Sequence, residues 1–249
     1  MRTIGRLSWL ELKLFAREPL TVVFSLALPL VMLFVLGGVF GNEPSAPGEM
    51  LVYRGVGPTD YYIPAYFALV LASVSVISIP THLAGNRERG VLRRFQASSV
   101  SPVAIVGSQV VVTLAVALAS AIVLAIAVTI AYDYEAPNSI PAVIGAFLLL
   151  GLMFAAFGIL LGALLPTARA AQALGMMLWF VMLMLGGAGP PPEVMTGAMG
   201  VVRNLTPLWH GVRVMQSVWL GLDPGLSWVV TAALLIVCGV ISIRWFRWE

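Results

Sequence analysis

Chemistry at a protein site needs acids, bases, nucleophiles or metal ligands gathered in one place, and this sequence scatters them. Its two histidines, His82 and His210, are too few and too far apart along the chain for a histidine metal cluster. No paired aspartates offer a site for a diphosphate, and no serine stands in a nucleophile setting with a base nearby. The single cysteine, Cys238, has neither a disulfide partner nor ligand company, which makes it a packed thiol. Six long apolar runs carry no Asp, Glu, Lys or Arg, whereas carriers driven by protons or ions keep such a group in the path. His82, at the inner end of the second run, reads either as a gate or proton site or, more plainly, as a polar residue at a helix end. His210 reads as packing in an outer segment. The phosphate-loop pattern G-x-x-x-x-G-K-[ST] is missing, so the chain holds no nucleotide by that route. A membrane enzyme and a proton-driven carrier are both disfavoured. Active transport would have to draw its energy from another subunit.

One stretch does gather charge: Asn86 to Pro102, NRERGVLRRFQASSVSP. Arg87, Glu88, Arg89, Arg93 and Arg94 lie within eight residues, between two apolar runs. In this reading Asn86 caps a short helix and Ser101-Pro102 starts the next one. On that short helix Val91, Leu92 and Phe95 share a side. They form an apolar knob among arginines, a shape suited to docking on another protein. The other reading is a topology signal that binds lipid phosphates. The residues alone leave both open.

The elements that must position this stretch are membrane spans. The chain has 249 residues, of which 60% are hydrophobic and 10% charged, with a mean hydropathy of +0.97. Such a composition defines a polytopic membrane protein. The net charge of +3 comes from a few arginines in loops and points to anionic lipid heads, not nucleic acid. No polar stretch is long enough for a soluble domain. Residues 1–20 lack the pattern of a secretory signal and read as an amphipathic helix along the membrane surface, with Arg2, Arg6, Lys13 and Arg17 on one arc. The expected spans are 21–40, 61–83, 103–131, 140–165, 171–188 and 226–243, with Pro29 placed to kink the first. Span four carries Gly151-x-x-x-Ala155 and Gly158-x-x-x-Gly162, small residues one turn apart that let helices approach. Residues 189–225 are too polar to span and too apolar for a loop, so one or two short helices dipping into the outer leaflet are expected there. With the N-terminus inside, eleven of the fourteen Lys and Arg residues fall in inner segments. That bias places both ends in the cytoplasm. The expected architecture is therefore all-α and integral to the membrane: six transmembrane helices, an interfacial N-terminal helix and short re-entrant extracellular helices between spans five and six.

In this order the segments resemble a known family, the ABC-2 type membrane subunits of ATP-binding-cassette exporters, and most nearly the bacterial drug-export permeases of the daunorubicin-resistance kind. The segment Arg87-Glu88-Arg89-Gly90-Val91-Leu92-Arg93-Arg94, with Ser101-Pro102 downstream, is similar to the family's "RERGTLRR…SP" loop between spans two and three. Pro191, Pro192 and Glu193 look like the proline-rich start of the family's extracellular segment. The stretch from Asn204 through Pro207 to Arg213, with Gly221 beyond, resembles the segment before its last span. The family often has Asn and Pro adjacent, whereas Leu205 and Thr206 separate Asn204 from Pro207 here, and the end of span five is richer in glycine.

The resemblance implies a single ABC-2 type transmembrane domain over residues 1–249. It implies a permease, not an enzyme, that moves an amphipathic or hydrophobic substrate such as a drug, lipid or polyketide outward across a bacterial cell membrane. ATP and Mg would reside on a separate ATPase subunit, with no cofactor in this chain. Arg87, Glu88, Arg89, Val91, Leu92, Arg93, Arg94 and Phe95 would form the coupling helix that meets that ATPase. A second copy or a sister permease would complete the pore. Spans two and five would then supply Phe67, Val70, Met176, Met177, Phe180 and Met184 to the substrate path, where thioethers and rings suit irregular apolar cargo. The rival readings are a secondary carrier and a non-transport scaffold or immunity protein.

Overall fold

A computed structural model describes residue 9 and residues 23–42, 52–97 and 102–245. Among these residues there are only helices and connecting turns. Six helices are long and apolar enough to cross a membrane. We number the helices in chain order: α1 (Val23–Phe40), α2 (Pro58–Glu88), α3 (Val91–Ala97), α4 (Pro102–Ala131), α5 (Ile140–Leu164), α6 (Ala168–Leu185), α7 (Gly197–Asn204), α8 (Pro207–Leu220) and α9 (Ser227–Trp245). The six candidate spans are α1, α2, α4, α5, α6 and α9. The expected interfacial helix over residues 1–20 lies outside the described residues, apart from Trp9.

The bundle is built around α2. Every residue from Gly57 to Pro80 is buried. Helix α1 packs on it from one side, α4 and α5 from another, and α6 and α8 from the rest. Composition explains the central place. The other spans are dominated by Val, Leu, Ile, Ala and Met, which lipid solvates well. Helix α2 carries Tyr61, Tyr62, Tyr66, Ser73, Ser75, Ser78 and Thr81, hydroxyls that are costly to leave in hydrocarbon without partners. Surrounding this helix with protein supplies some of them: Trp179 Nε1 on α6 donates to Ser73 Oγ at 2.7 Å, and that hydroxyl donates to Leu69 O at 2.7 Å. Helix α9 packs chiefly on α5, at the periphery.

Two spans contain a widened π-helical turn, Val23–Ala27 in α1 and Val74–Ser78 in α2. Each is centred four residues before a proline, Ser25 before Pro29 and Val76 before Pro80. A proline ring inside a helix collides with the carbonyl four residues back and cannot hydrogen-bond to it. Widening the turn there absorbs the collision while the helix continues. The irregularity expected from Pro29 thus takes the form of a π turn.

The α2 π turn sits between glycines. A Cβ on Gly158 of α5 would fall 2.2 Å from Ser75 O, and one on Gly175 of α6 would fall 2.5 Å from Val76 O. Gly162 packs likewise on Pro80 and Leu83. Of the small residues of span four, Gly158 and Gly162 therefore pack on α2 of the same chain, while Gly151 lies closest to Leu114 of α4.

Three expected boundaries move. Helix α2 starts at Pro58 and continues through Glu88, so Asn86 lies inside a helix and does not cap one. The break comes at Arg89-Gly90, where Gly90 takes φ 69° and the chain turns into α3. Helix α6 starts at Ala168 with Thr167 as its cap, its hydroxyl accepting from Ala170 N at 3.2 Å, which shortens the preceding turn. Between α6 and α9 the chain forms a 3-10 turn, Pro192–Val194, then α7 and α8, in line with the short helices expected there.

Candidate functional site at the two ends of the bundle

The charged segment sits where α2 ends, and its residues separate into two groups. Arg87 and Glu88 face the turn between α5 and α6. Arg87 donates to Gly162 O and Ala163 O, each at 3.3 Å, and to Leu165 O. Carbonyls in the last turn of a helix have no partner within it and carry its partial negative charge, so a guanidinium there is well matched. Glu88 Oε2 accepts from Ala168 N at 3.1 Å, an amide at the positive start of α6. Arg89 is exposed and donates to Asn86 Oδ1 at 3.2 Å.

Helix α3 carries the second group. Arg93 and Arg94 are exposed and Val91 is half-buried. Leu92, expected in an outward apolar knob, is fully buried instead. It sits in a cluster with Ile79 and Leu83 of α2, Ile105 of α4, and Ala155 and Ile159 of α5. A short helix gains little stability alone, and burying this one leucine pins α3 to three spans. The Phe95 side chain lies outside the described residues. Among the described side chains of α3, those exposed are Arg93, Arg94 and Ala97.

The opposite end holds a dense polar cluster that the sequence reading did not assemble. Arg54 and Gly55 both take positive φ, 59° and 86°, in a tight turn closed by Val56 N donating to Tyr53 O at 3.3 Å. A non-glycine residue in that region costs about 1–2 kcal/mol, and three contacts hold Arg54 there. Its Nη1 donates to Gln216 Oε1 at 3.0 Å, its Nη2 donates to Asp223 O at 2.6 Å, and its Nε lies 4.0 Å from Glu193 Oε1. Tyr61 Oη donates to Glu193 Oε2 at 2.8 Å, and Gln216 Nε2 donates to Tyr61 O at 3.2 Å. These bonds tie the first turn of α2 to the Pro192–Val194 turn and to α8. A second knot joins Asn42 to Asp60 through two hydrogen bonds of 2.9 and 3.1 Å, and Asp60 Oδ1 accepts from Glu135 N at 2.8 Å. Of this cluster, the sequence reading singled out Glu193, as a family-like position.

Helix α8 adds a third feature. The Arg203 and Arg213 guanidinium carbons lie 4.6 and 5.0 Å from the centroid of the Trp209 ring. Burial pushes the Arg213 pKa down from its ordinary value, and the nearby Arg54 charge adds to this. His210 is buried, with Nε2 2.8 Å from Asn204 O and Nδ1 3.2 Å from Ser227 Oγ. A carbonyl only accepts, so Nε2 carries the proton and Nδ1 accepts from the serine. Burial lowers the His210 pKa, partly offset by the Asn204 carbonyl, while the Arg213 charge lowers it further. The packing role read for His210 fits these contacts.

Of the six residues named for a substrate path, Phe67 and Val70 lie on α2 and the other four on α6. Val70 is buried in the central cluster. Phe67 rests on Trp219, ring centres 5.0 Å apart, and lines a groove of about 330 Å³ between α2, α4 and α5. The wall of that groove is apolar, formed by residues such as Leu114, Leu118, Ile122, Ile144 and Phe147. Met177 and Phe180 of α6 are exposed at 57% and 56%, while Met176 and Met184 are half-buried. His82 lines a small recess with Ser78, Gln109 and Thr113 between α2 and α4. No group of His, Cys, Asp and Glu among the described residues is arranged to hold a metal ion.

Six apolar candidate spans, one of them buried among the others, with charge gathered at the ends, define a multi-pass membrane protein. A family model described as "ABC-2 type transporter" matches residues 2–220, and the chain belongs to that family. It is the membrane-embedded part of a transporter, and members of the family generally work with an ABC ATPase subunit. The match ends on the last residue of α8, so α9 lies beyond it. No curated protein matches the chain.

Proposed function

We propose that this chain is the permease subunit of an ATP-driven exporter in a bacterial cell membrane, with both termini in the cytoplasm. ATP and Mg bind a separate ATPase subunit, which docks on α3. The observation that carries the reading is the placement of Arg93 and Arg94. They are exposed on a short helix that is pegged by Leu92 and joined directly to the most buried span. A push on α3 therefore reaches the centre of the bundle without a flexible linker. The docking face comprises Arg89, Val91, Arg93 and Arg94, with Phe95 beside them. The cargo is amphipathic or hydrophobic, since the apolar runs within the spans carry no Asp, Glu, Lys or Arg. The exposed face of α6, with Met177 and Phe180, meets a second copy or a sister permease, and cargo passes between them. The outer polar cluster of Arg54, Tyr61, Glu193 and Gln216 closes the extracellular side and must loosen for release.

The test is purification from native membranes in mild detergent, followed by identification of what accompanies the chain. A soluble partner with a phosphate-binding loop, whose ATP hydrolysis rises in the complex, is the expected result. A chain that emerges alone under several gentle conditions would count against docking and favour a carrier or a scaffold.

A further inference from the structure

Arg87 and Glu88 are adjacent in sequence and bind opposite sides of one turn. The arginine holds the carbonyl end of α5, and the glutamate holds the amide start of α6. The chain between them is only Leu165, Pro166 and Thr167. Each charge has the sign that the helix end it meets requires, and exchanging the two would be wrong at both ends. The last residues of α2 thus hold two other spans by their ends, beside the point where Gly90 lets the chain turn into α3. Higher up, the glycine contacts of Gly158 and Gly175 with the α2 backbone hold the same three helices together.

We propose that Arg87 and Glu88 are positioning residues that make the α5–α6 turn follow the coupling helix, so that a displacement applied at α3 moves α2, α5 and α6 as one body. The inference rests on the docking reading above. It assigns these two residues to a contact within the permease, and leaves Arg93 and Arg94 to meet the ATPase. The α5–α6 turn, which has no span-like or motif-like signal in the sequence, becomes the second moving part of the coupling device.

Hydrogen exchange read by mass spectrometry on the complex of permease and ATPase tests this, comparing the nucleotide-free state with the state trapped by ATP and vanadate. In the wild-type complex trapping is expected to change exchange over both 91–97 and 164–171. In the Arg87→Gln, Glu88→Gln double variant it is expected to change 91–97 alone, with the ATPase still bound. Without nucleotide, the 164–171 stretch of the variant should exchange about tenfold faster, because the Ala168 amide loses its bond to a carboxylate. A wild-type turn that stays silent while 91–97 responds overturns the inference, as does a variant turn that still responds. Silence over 91–97 in the wild type defeats the docking reading itself, and the inference with it. If the double variant does not fold, Glu88→Ala alone, which removes the acceptor from the Ala168 amide, serves in the same comparison.

Discussion

At the residue scale, Tyr61 shows how much depends on one hydroxyl. It is buried at the outer end of α2 and donates to Glu193, while its own carbonyl accepts from Gln216. Tyr61→Phe leaves the packing intact but removes the donor to a largely buried carboxylate. We expect a loss of about 1–3 kcal/mol, seen as a lower melting temperature of the purified protein in detergent. His210 gives a pH dependence. Its folded-state pKa is depressed, so the unfolded chain takes up the proton first. The stability that neutral His210 confers is complete above its ordinary value of ~6.5 and is lost as pH falls through that value toward the lower folded one. Melting curves from about pH 7.5 to about pH 5.5 should show this slope, and His210→Gln should flatten it. A slope unchanged by that substitution would assign the effect to another group. The sequence made the charges of the 87–94 stretch plain but not their use. Arg87 and Glu88 find partners at residues 162–168, and spacing along the chain carries no sign of that contact.

At the scale of elements, hydropathy was enough to find all six spans, because a helix that crosses hydrocarbon needs about 20 apolar residues in a row. It failed where a helix outlasts its apolar run. Helix α2 continues past Leu83 to Glu88 because the charged residues of its last turn find protein partners there, so a polar run that reads as a loop stays helical. The π turn of α2 was hidden too, although its place four residues before Pro80 follows from proline geometry once the helix is known. The glycine contacts it makes are testable within one helix. Gly158→Ala places a methyl group against Ser75 O and should cost about 1–3 kcal/mol. Gly145→Ala, also in α5, meets nothing within 4 Å and should gain about 0.5–1 kcal/mol. Unfolding in denaturing detergent measures both. Equal effects would mean that the close approach of α2 and α5 does not constrain the bundle.

At the scale of the whole molecule, the two ends of the bundle are built differently. The Arg54 end is cross-linked by side chains from the 52–61 stretch, the Pro192–Val194 turn and α8. The α3 end keeps exposed arginines. On the docking reading, Arg93→Glu with Arg94→Glu should abolish recovery of the ATPase with the permease. Protease accessibility of the loops must confirm that the orientation has not inverted, since the same arginines set topology. Unchanged recovery would leave them that role alone. The burial of α2 also bears on how the protein is made. This helix leaves the ribosome second among the spans, yet α5, α6 and α8, which enclose it, are synthesised later. Until Trp179 arrives to meet Ser73, its hydroxyl-lined surface has only α1, α4, α5, lipid or the insertion machinery for company. A nascent chain arrested after α4 should therefore remain a client of that machinery, and release into the bilayer should come only when α6 has been delivered.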